Sequence, residues 1–344
     1  MAHTHDKHDH DHHDHDHQHA HDHKHEHDHD HEHDHDHDHK HGHHGHHHNH
    51  AEHAPNQFNK AFAFAVSLNL IFTLIEAFYA YLANSMSLMA DAGHNLGDVL
   101  GLSLAWGANL LLARGSSVKY SYGFKKTTIL AALINAGILV AASALIAYES
   151  ILKLIHPVAV HETTIIVVAL IGIFINGGTA LLFNSGRKDD LNVKAAFLHL
   201  AFDALISFGV VVSGIIILFT HLYWLDPLVG LLIVVTIVMG TWGVLRESVD
   251  SVLDAVPKNI NPEKVAEYFK TISGVTDVHD LHIWSLSTKE IALTAHLTMP
   301  EKTLADDDYA HINEELAKKF AIKHVTIQVE QGLANDPCAQ STTC

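Results

Sequence analysis

Apolar residues dominate the chain from residue 58 to residue 245, and short polar segments interrupt them at regular intervals. A helix needs about 20 mostly apolar residues to cross roughly 30 Å of hydrocarbon. Six runs meet this requirement and predict an all-α domain of six transmembrane helices in a lipid bilayer. They cover residues 58–83, 86–113, 127–152, 163–184, 193–220 and 222–245.

Basic residues accumulate on one side of the predicted bundle. Only Lys153 lies on the opposite side. By the positive-inside rule, this asymmetry predicts that both termini face the cytoplasm. The residues on the cytoplasmic side are Arg114, Lys119, Lys125 and Lys126 after the second run, Arg187, Lys188 and Lys194 after the fourth, and Arg246 after the sixth.

Two His-x-x-x-Asp pairs lie inside separate apolar runs, His94 with Asp98 and His199 with Asp203. Residues four apart share one face of a helix, so each pair presents an imidazole and a carboxylate together. A charged residue at the centre of a membrane helix costs about 2.5–3.5 kcal/mol on insertion scales. The predicted topology makes the two helices antiparallel, so the pairs can meet at similar depth. Two nitrogens and two oxygens suit a tetrahedral divalent cation such as Zn²⁺.

Other polar residues also fall at membrane depth. Asp91 lies one turn before His94 and either lines an ion path or orients His94. Glu76 is equally compatible with a proton site and with a polar packing role. For Asn95, Asn135 and Asn176, interhelical hydrogen bonding is favoured over ion contact.

Residues 1–57 form a low-complexity tail in which His alternates with Asp or Glu. Residues 1–53 contain 27 of the 37 histidines and 14 acidic residues against three lysines, so the tail supplies much of the net charge of −18. Such a segment cannot bury a core, so it is predicted to be disordered without metal. It is expected to capture divalent metals, although a solubilising arm is the alternative. The densest alternation includes His27, His29, His31, His33, His35, His37 and His39.

After the apolar domain of residues 58–245, residues 246–334 alternate helical and strand patterns in the order α-β-β-α-β. Helices are predicted over 262–271 and 305–320, and strands over 275–286, 291–299 and 324–330. Period-two alternation places His324, Thr326, Gln328 and Glu330 on one strand face. Residues 335–344, with Cys338 and Cys344, are predicted to be a flexible C-terminus, and these two cysteines provide no disulfide framework.

Several sequence motifs occur together in residues 58–334. They are Ser87-Leu88-Met89-Ala90-Asp91-Ala92-Gly93-His94 with Asp98, Tyr122-Gly123-Phe124, Ile129 to Asn135, His199 with Asp203, Asp226-Pro227, and Val278 to Leu286. Together they resemble the motifs of the cation diffusion facilitator family of metal/proton antiporters, especially its bacterial zinc/cadmium/cobalt exporters. One departure is that many members have Arg and Glu where this chain has Lys126 and Thr128, which removes a Glu that could form a loop salt bridge.

The resemblance implies a ferredoxin-like cytoplasmic α+β domain that dimerises and binds metal. It implies regulatory zinc ligands at His279, His296 and Glu330. Several relatives have His where this chain has Lys323, so one ligand is either missing or replaced by His324 or Gln328. Members with His-Asp pairs in both helices resemble the zinc-preferring branch, and Co²⁺ or Cd²⁺ remains possible.

These features together predict proton-coupled efflux of a divalent metal by alternating access, most readily of Zn²⁺. Imidazole and carboxylate bind metal only when deprotonated, which couples metal to protons. There is no Gly-x-x-x-x-Gly-Lys-Ser/Thr motif, no enzymatic chemistry is expected, and no basic region suggests nucleic acid. A homodimer in a bacterial inner membrane is expected. The alternatives are a membrane-anchored metal buffer or sensor that does not transport, and an importer of unrelated fold.

Overall fold

The computed structural model describes residues 60–183 and 191–332. The predicted His-rich tail, the basic residues Arg187 and Lys188, and the C-terminal cysteines lie outside these residues. Within the described part, six long helices precede a small domain that contains two helices and three strands. The long helices are α1 (Lys60–Leu82), α2 (Met86–Leu112), α3 (Thr127–Ile155), α4 (Glu162–Phe183), α5 (Leu191–Thr220) and α6 (Leu225–Val252).

Of the described helices, four are long and apolar enough to cross a membrane, namely α3, α4, α5 and α6. In α1, the part whose side chains are described contains the apolar segment Ser67–Leu82. Helix α2 falls outside this group because Asp91, His94, Asn95 and Asp98 interrupt its apolar sequence. The structure therefore confirms an all-helical domain in which four of the described helices are long and apolar enough to span a membrane, whereas the count of six spans stays a prediction.

The N-terminal end of α2 is held by its own N-cap residue and by a carboxylate from another helix. Ser85 caps α2 by accepting a hydrogen bond from the Leu88 amide, after a turn in which Asn84 has a φ of 58°. The Asp226 carboxylate at the start of α6 accepts hydrogen bonds from Ser85 Oγ, the Met86 amide and Ser87 Oγ, each at 2.6 Å. All four residues are buried. Since the N-terminus of a helix leaves amide donors without helical partners, a carboxylate there stabilises α2.

Close packing sets the distance between α2 and α3. A Cβ atom on Gly97 would lie 2.1 Å from Leu139 Cδ2, and one on Gly101 would lie 2.8 Å from Asn135 Nδ2. These glycines are four residues apart on one face of α2, so small residues let the two helices approach closely. Helix α3 also packs against α6, and α4 packs mainly against α5. The His-x-x-x-Asp face of α2 is thereby turned towards α5.

The small domain has the predicted α-β-β-α-β order: α7 (Pro262–Lys270), β1 (Asp277–Ser285), β2 (Ile291–Thr298), α8 (Asp306–Phe320) and β3 (Ile322–Glu330). Strands β1 and β2 are antiparallel and β2 and β3 are parallel, in the order β1-β2-β3. Helix α8 makes the crossover that a parallel pair requires. The apolar sides of both helices and of the sheet form one core, which includes Val265, Phe269, Leu293, Leu297, Ile312 and Leu316.

The turn between α2 and α3 contacts the small domain. Lys125 forms an ion pair with Glu290, and Thr128 Oγ1 accepts a hydrogen bond from the Thr288 amide at 3.2 Å. Lys126 pairs with Asp254 just beyond α6, with 2.6 Å between Nζ and Oδ1. Many of the resembled proteins have Glu at the position of Thr128. Here the Thr128 hydroxyl joins the two domains by a hydrogen bond, and Lys125 joins them by its ion pair with Glu290.

Candidate metal site between two membrane helices

The two His-x-x-x-Asp pairs meet where α2 faces α5. The ligand atoms of His94, Asp98, His199 and Asp203 all lie within 4.8 Å of one another. Each helix supplies one imidazole and one carboxylate from residues four apart, as the sequence spacing requires. The residues come together because α2 and α5 run in opposite directions, so that His94 lies opposite Asp203 and Asp98 opposite His199.

The shortest contacts cross between the helices. His94 Nε2 is 3.1 Å from Asp203 Oδ1, and His199 Nε2 is 3.1 Å from Asp98 Oδ2. The contacts within each helix are longer, 3.7 Å from His94 to Asp98 and 3.6 Å from His199 to Asp203. The imidazole rings are perpendicular rather than stacked, with centroids 5.9 Å apart and an interplanar angle of 75°.

This arrangement fits a tetrahedral zinc ion. Zinc–ligand distances of about 2.0–2.1 Å at tetrahedral angles place neighbouring ligand atoms about 3.3 Å apart. The four nitrogen–oxygen contacts, 3.1 to 3.7 Å, bracket that value. Two carboxylates and two neutral imidazoles balance the charge of a divalent cation, which makes the donor set chemically complete for Zn²⁺ without a further protein ligand.

Solvent exposure differs among the four side chains. His199 is the most accessible at 26%, whereas Asp203 is only 3% exposed. His94 and Asp98 are intermediate, at 15% and 11%. The site is therefore reached more easily past His199 than past Asp203.

Three of the other predicted polar residues, Glu76, Asp91 and Asn95, form a buried layer next to the cluster. Asn95 Nδ2 donates to Glu76 Oε2 at 3.2 Å, which links α1 to α2. Asp91 accepts a hydrogen bond from Ser207 Oγ at 2.7 Å, which links α2 to α5. Asp91 does not lie among the four clustered ligands. Ser207 is a residue that the sequence reading missed, although its position four residues after Asp203 places it on the same helix face.

A second cluster forms in the small domain from three residues that the family resemblance implied. Ligand atoms of His279, His296 and Glu330 lie within 4.8 Å of one another. Glu330 Oε2 is 3.1 Å from His279 Nε2, and Glu330 Oε1 is 2.9 Å from His296 Nδ1. The cluster uses one residue from each strand, since His279 pairs with His296 across β1 and β2 while Glu330 ends β3.

The two remaining residues proposed for this cluster have other positions. The His324 ring contacts Tyr122, with centroids 5.3 Å apart, and is six residues from Glu330 along β3. Gln328 Nε2 donates to Glu330 Oε1 at 2.8 Å, so it supports a ligand rather than joining the three. Asp280, which was not singled out as a ligand, lies at the β1 bulge with a φ of 48°. Its carboxylate is 2.8 Å from His282 Nε2 and 3.5 Å from His296 Nε2.

The described residues thus define a helical protein with four apolar, membrane-length helices and a cluster of two histidines and two aspartates that could hold a divalent metal. Comparison with known families agrees with this class. Residues 62–253 match the cation efflux transmembrane domain, and residues 257–332 match the cation efflux protein cytoplasmic domain. The chain belongs to the cation efflux, or cation diffusion facilitator, family and is an integral membrane protein.

Several curated proteins of this family are similar over most of their length. The metal cation efflux system protein CzcD of Cupriavidus metallidurans is 33% identical over 292 residues, which cover 83% of this chain and 90% of CzcD. The cadmium, cobalt and zinc/H(+)-K(+) antiporter of Bacillus subtilis is 32% identical, over 75% of this chain and 85% of its own. The zinc transporter ZitB of Pectobacterium atrosepticum is 30% identical, over 83% and 90%.

Proposed function

We propose that this protein exports Zn²⁺ from the cytoplasm in exchange for protons. The observation that carries the proposal is the four-ligand cluster of His94, Asp98, His199 and Asp203 between α2 and α5. The names of the relatives support the metal class, since they include a zinc transporter and an antiporter of cadmium, cobalt and zinc. Co²⁺ and Cd²⁺ are further candidate substrates because the same nitrogen and oxygen ligands accept them.

We propose that all six long helices span the membrane, with the termini and a ferredoxin-like small domain in the cytoplasm. The basic residues of the α2–α3 turn support this orientation, whereas Lys153 at the opposite end donates to the Asn84 carbonyl at 2.9 Å. A bacterial inner membrane suits the bacterial relatives. A homodimer is the expected assembly, on the resemblance of the small domain.

In this orientation, Asp98 and His199 lie nearer the cytoplasm than His94 and Asp203. The greater exposure of His199 and the burial of Asp203 then correspond to a site open to the cytoplasm and closed to the outside. Metal enters past His199, binds the four deprotonated ligands, and leaves outward after the helices rearrange. Protons from the outside then replace the metal on the imidazoles and carboxylates, which resets the transporter.

The decisive experiment is zinc flux into proteoliposomes under an imposed pH gradient, comparing wild type with Asp203→Ala. We expect gradient-dependent flux in the wild type and none in Asp203→Ala, because one of two carboxylate ligands is lost. Glu247→Ala, which removes an exposed carboxylate at the end of α6, is the matched control and should transport normally. Wild-type protein that binds zinc but shows no flux would instead favour the buffering or sensing alternative.

We also propose that His279, His296 and Glu330 form a regulatory zinc site, supported by their distances within the sheet. On a chain that begins at residue 54, His296→Ala should lower the zinc bound per chain by about one ion, because three-ligand sites tolerate the loss of an imidazole poorly. Equilibrium dialysis measures this change, with His311→Ala on the exposed side of α8 as control. Equal zinc binding by His296→Ala and His311→Ala would contradict the proposed regulatory zinc site.

The His-rich tail, including His27 to His39, is proposed to capture metal before transport. Removal of residues 1–53 should leave flux through the membrane site intact at saturating zinc, since the four ligands are all elsewhere. A buffer protein would lose its activity with the tail, so the same truncation separates the two functions.

A further inference from the structure

Two carboxyl groups that are not among the four metal ligands are buried together next to the site. Glu76 on α1 and Asp91 on α2 are each 0% exposed, and their side chains lie within hydrogen-bonding reach of each other. Asp91 is one helical turn from His94, on the side away from the accessible His199. Buried ionisable groups at membrane depth are expensive, which makes such a pair a candidate for function.

The surroundings provide too few donors for two ionised carboxylates. Asn95 donates to Glu76 Oε2, and Ser207 donates to Asp91 Oδ2. Among the described residues, Glu76 Oε1 and Asp91 Oδ1 have no hydrogen-bond partner. Two adjacent carboxylates repel each other and cannot both ionise readily in a buried place, whereas one proton held between them satisfies both groups.

We propose that Glu76 and Asp91 share one proton and form a proton-binding site, separate from the four metal ligands, that releases its proton when the metal binds. This inference rests on the proposed metal/proton exchange and adds a second group of proton carriers to it. On release, the O–H bond of the protonated carboxyl group breaks and a water molecule accepts the proton. Both members of the pair are then carboxylates. The two positive charges of an arriving metal ion, one turn away, compensate the negative charge that appears.

The charged groups around the pair are consistent with this exchange. His94 on α2 and Asp203 on α5 act on it electrostatically, and both change their own charge balance when metal binds. Helix α4 packs near Ser207 through Gly172, and its sequence after Glu162 contains no ionisable residue. On the neighbouring helices, the Asp226 carboxylate is occupied at the start of α2 and Glu149 lies on an exposed face of α3. The metal site is therefore the main electrostatic partner of the pair.

The test is the number of protons moved per zinc ion, measured with pH-sensitive and zinc-sensitive dyes in proteoliposomes of the full-length protein. Glu76→Gln keeps the shape of the side chain but cannot share the proton. We expect it to move about one proton fewer per zinc than wild type while still exchanging zinc for zinc at equal pH. Glu149→Gln makes the same chemical change outside the pair and should keep the wild-type ratio. An unchanged ratio in Glu76→Gln would overturn the proposal.

An infrared measurement on the wild type covers the case in which Glu76→Gln does not fold. Zinc added at neutral pH should remove the carbonyl band of a protonated carboxyl group, and Asp91→Asn should lack that change. A zinc difference spectrum without this loss contradicts the shared proton. Different results would contradict the two proposals. Wild-type protein without gradient-driven zinc flux contradicts proton-coupled transport. Proton-coupled transport with an unchanged number of protons per zinc in Glu76→Gln contradicts only the proposed carboxyl pair.

Discussion

Asp98→Asn is expected to reduce zinc flux by more than about 100-fold, beyond the 10–100-fold losses typical of residues that only support a ligand. The Asp98 carboxylate contacts both imidazoles of the cluster, at 3.1 Å from His199 and 3.7 Å from His94. An amide of the same shape removes one of two negative charges, so a divalent cation is no longer balanced. Its oxygen is also a weaker zinc ligand than a carboxylate oxygen.

The initial rate of zinc uptake, measured over a range of zinc concentrations in proteoliposomes, tests this expectation. Asp250→Asn, a partly buried carboxylate near the end of α6, makes the same substitution away from the cluster and should behave as wild type. The size-exclusion profile of each variant checks that the protein is folded. Flux within about threefold of wild type in folded Asp98→Asn would show that Asp98 is not a transport ligand. A change of that size is less than the roughly 1.4 kcal/mol that corresponds to a tenfold effect.

Asp226→Ala is expected to produce the largest loss of stability, about 3 kcal/mol or more, because it leaves several buried donors without an acceptor. Ser85 Oγ, the Met86 amide and Ser87 Oγ all donate to this carboxylate at 2.6 Å. These residues are buried, so bulk solvent cannot readily replace the lost acceptor. The N-terminal end of α2 would then lose its polar contacts with α6.

Thermal unfolding of the detergent-solubilised protein, followed by tryptophan fluorescence, measures the effect. Asp254→Ala provides the comparison, since it removes a carboxylate with an equally short ion pair to Lys126 at an exposed position. Exposed ion pairs contribute about 0–1 kcal/mol, so the control should unfold close to wild type. Equal midpoints for the two variants would show that Asp226 does not hold α2 to α6.

The features of this protein that depend on local spacing could be predicted from the sequence. The apolar runs indicated the long helices, and spacing by four residues put His94 with Asp98 and His199 with Asp203 on single helix faces. Alternation by two residues likewise indicated the strand that carries Glu330. These patterns follow from the geometry of one element, so no knowledge of its neighbours is needed.

Features that depend on how elements meet could not be predicted in the same way. The Asp226 motif was visible in the sequence, but its hydrogen bonds to Ser85 and Ser87 appear only once α6 meets α2. His324 shares a strand face with Glu330, yet six residues at about 3.3 Å each place it some 20 Å away. Ser207 carried no chemical signal of its own until Asp91 was placed opposite it.

The glycine face of α2 has a consequence for ionic radius. Because Gly97 and Gly101 let α2 pack directly against the side chains of Leu139 and Asn135, we expect this contact to hold His94 and Asp98 in place relative to α3. A cation larger than Zn²⁺, such as Cd²⁺, needs longer bonds to all four ligands. We expect this extra length to be gained by displacement of α5, so the freedom of α5 against α4 sets the upper size limit of the ions that the site accepts.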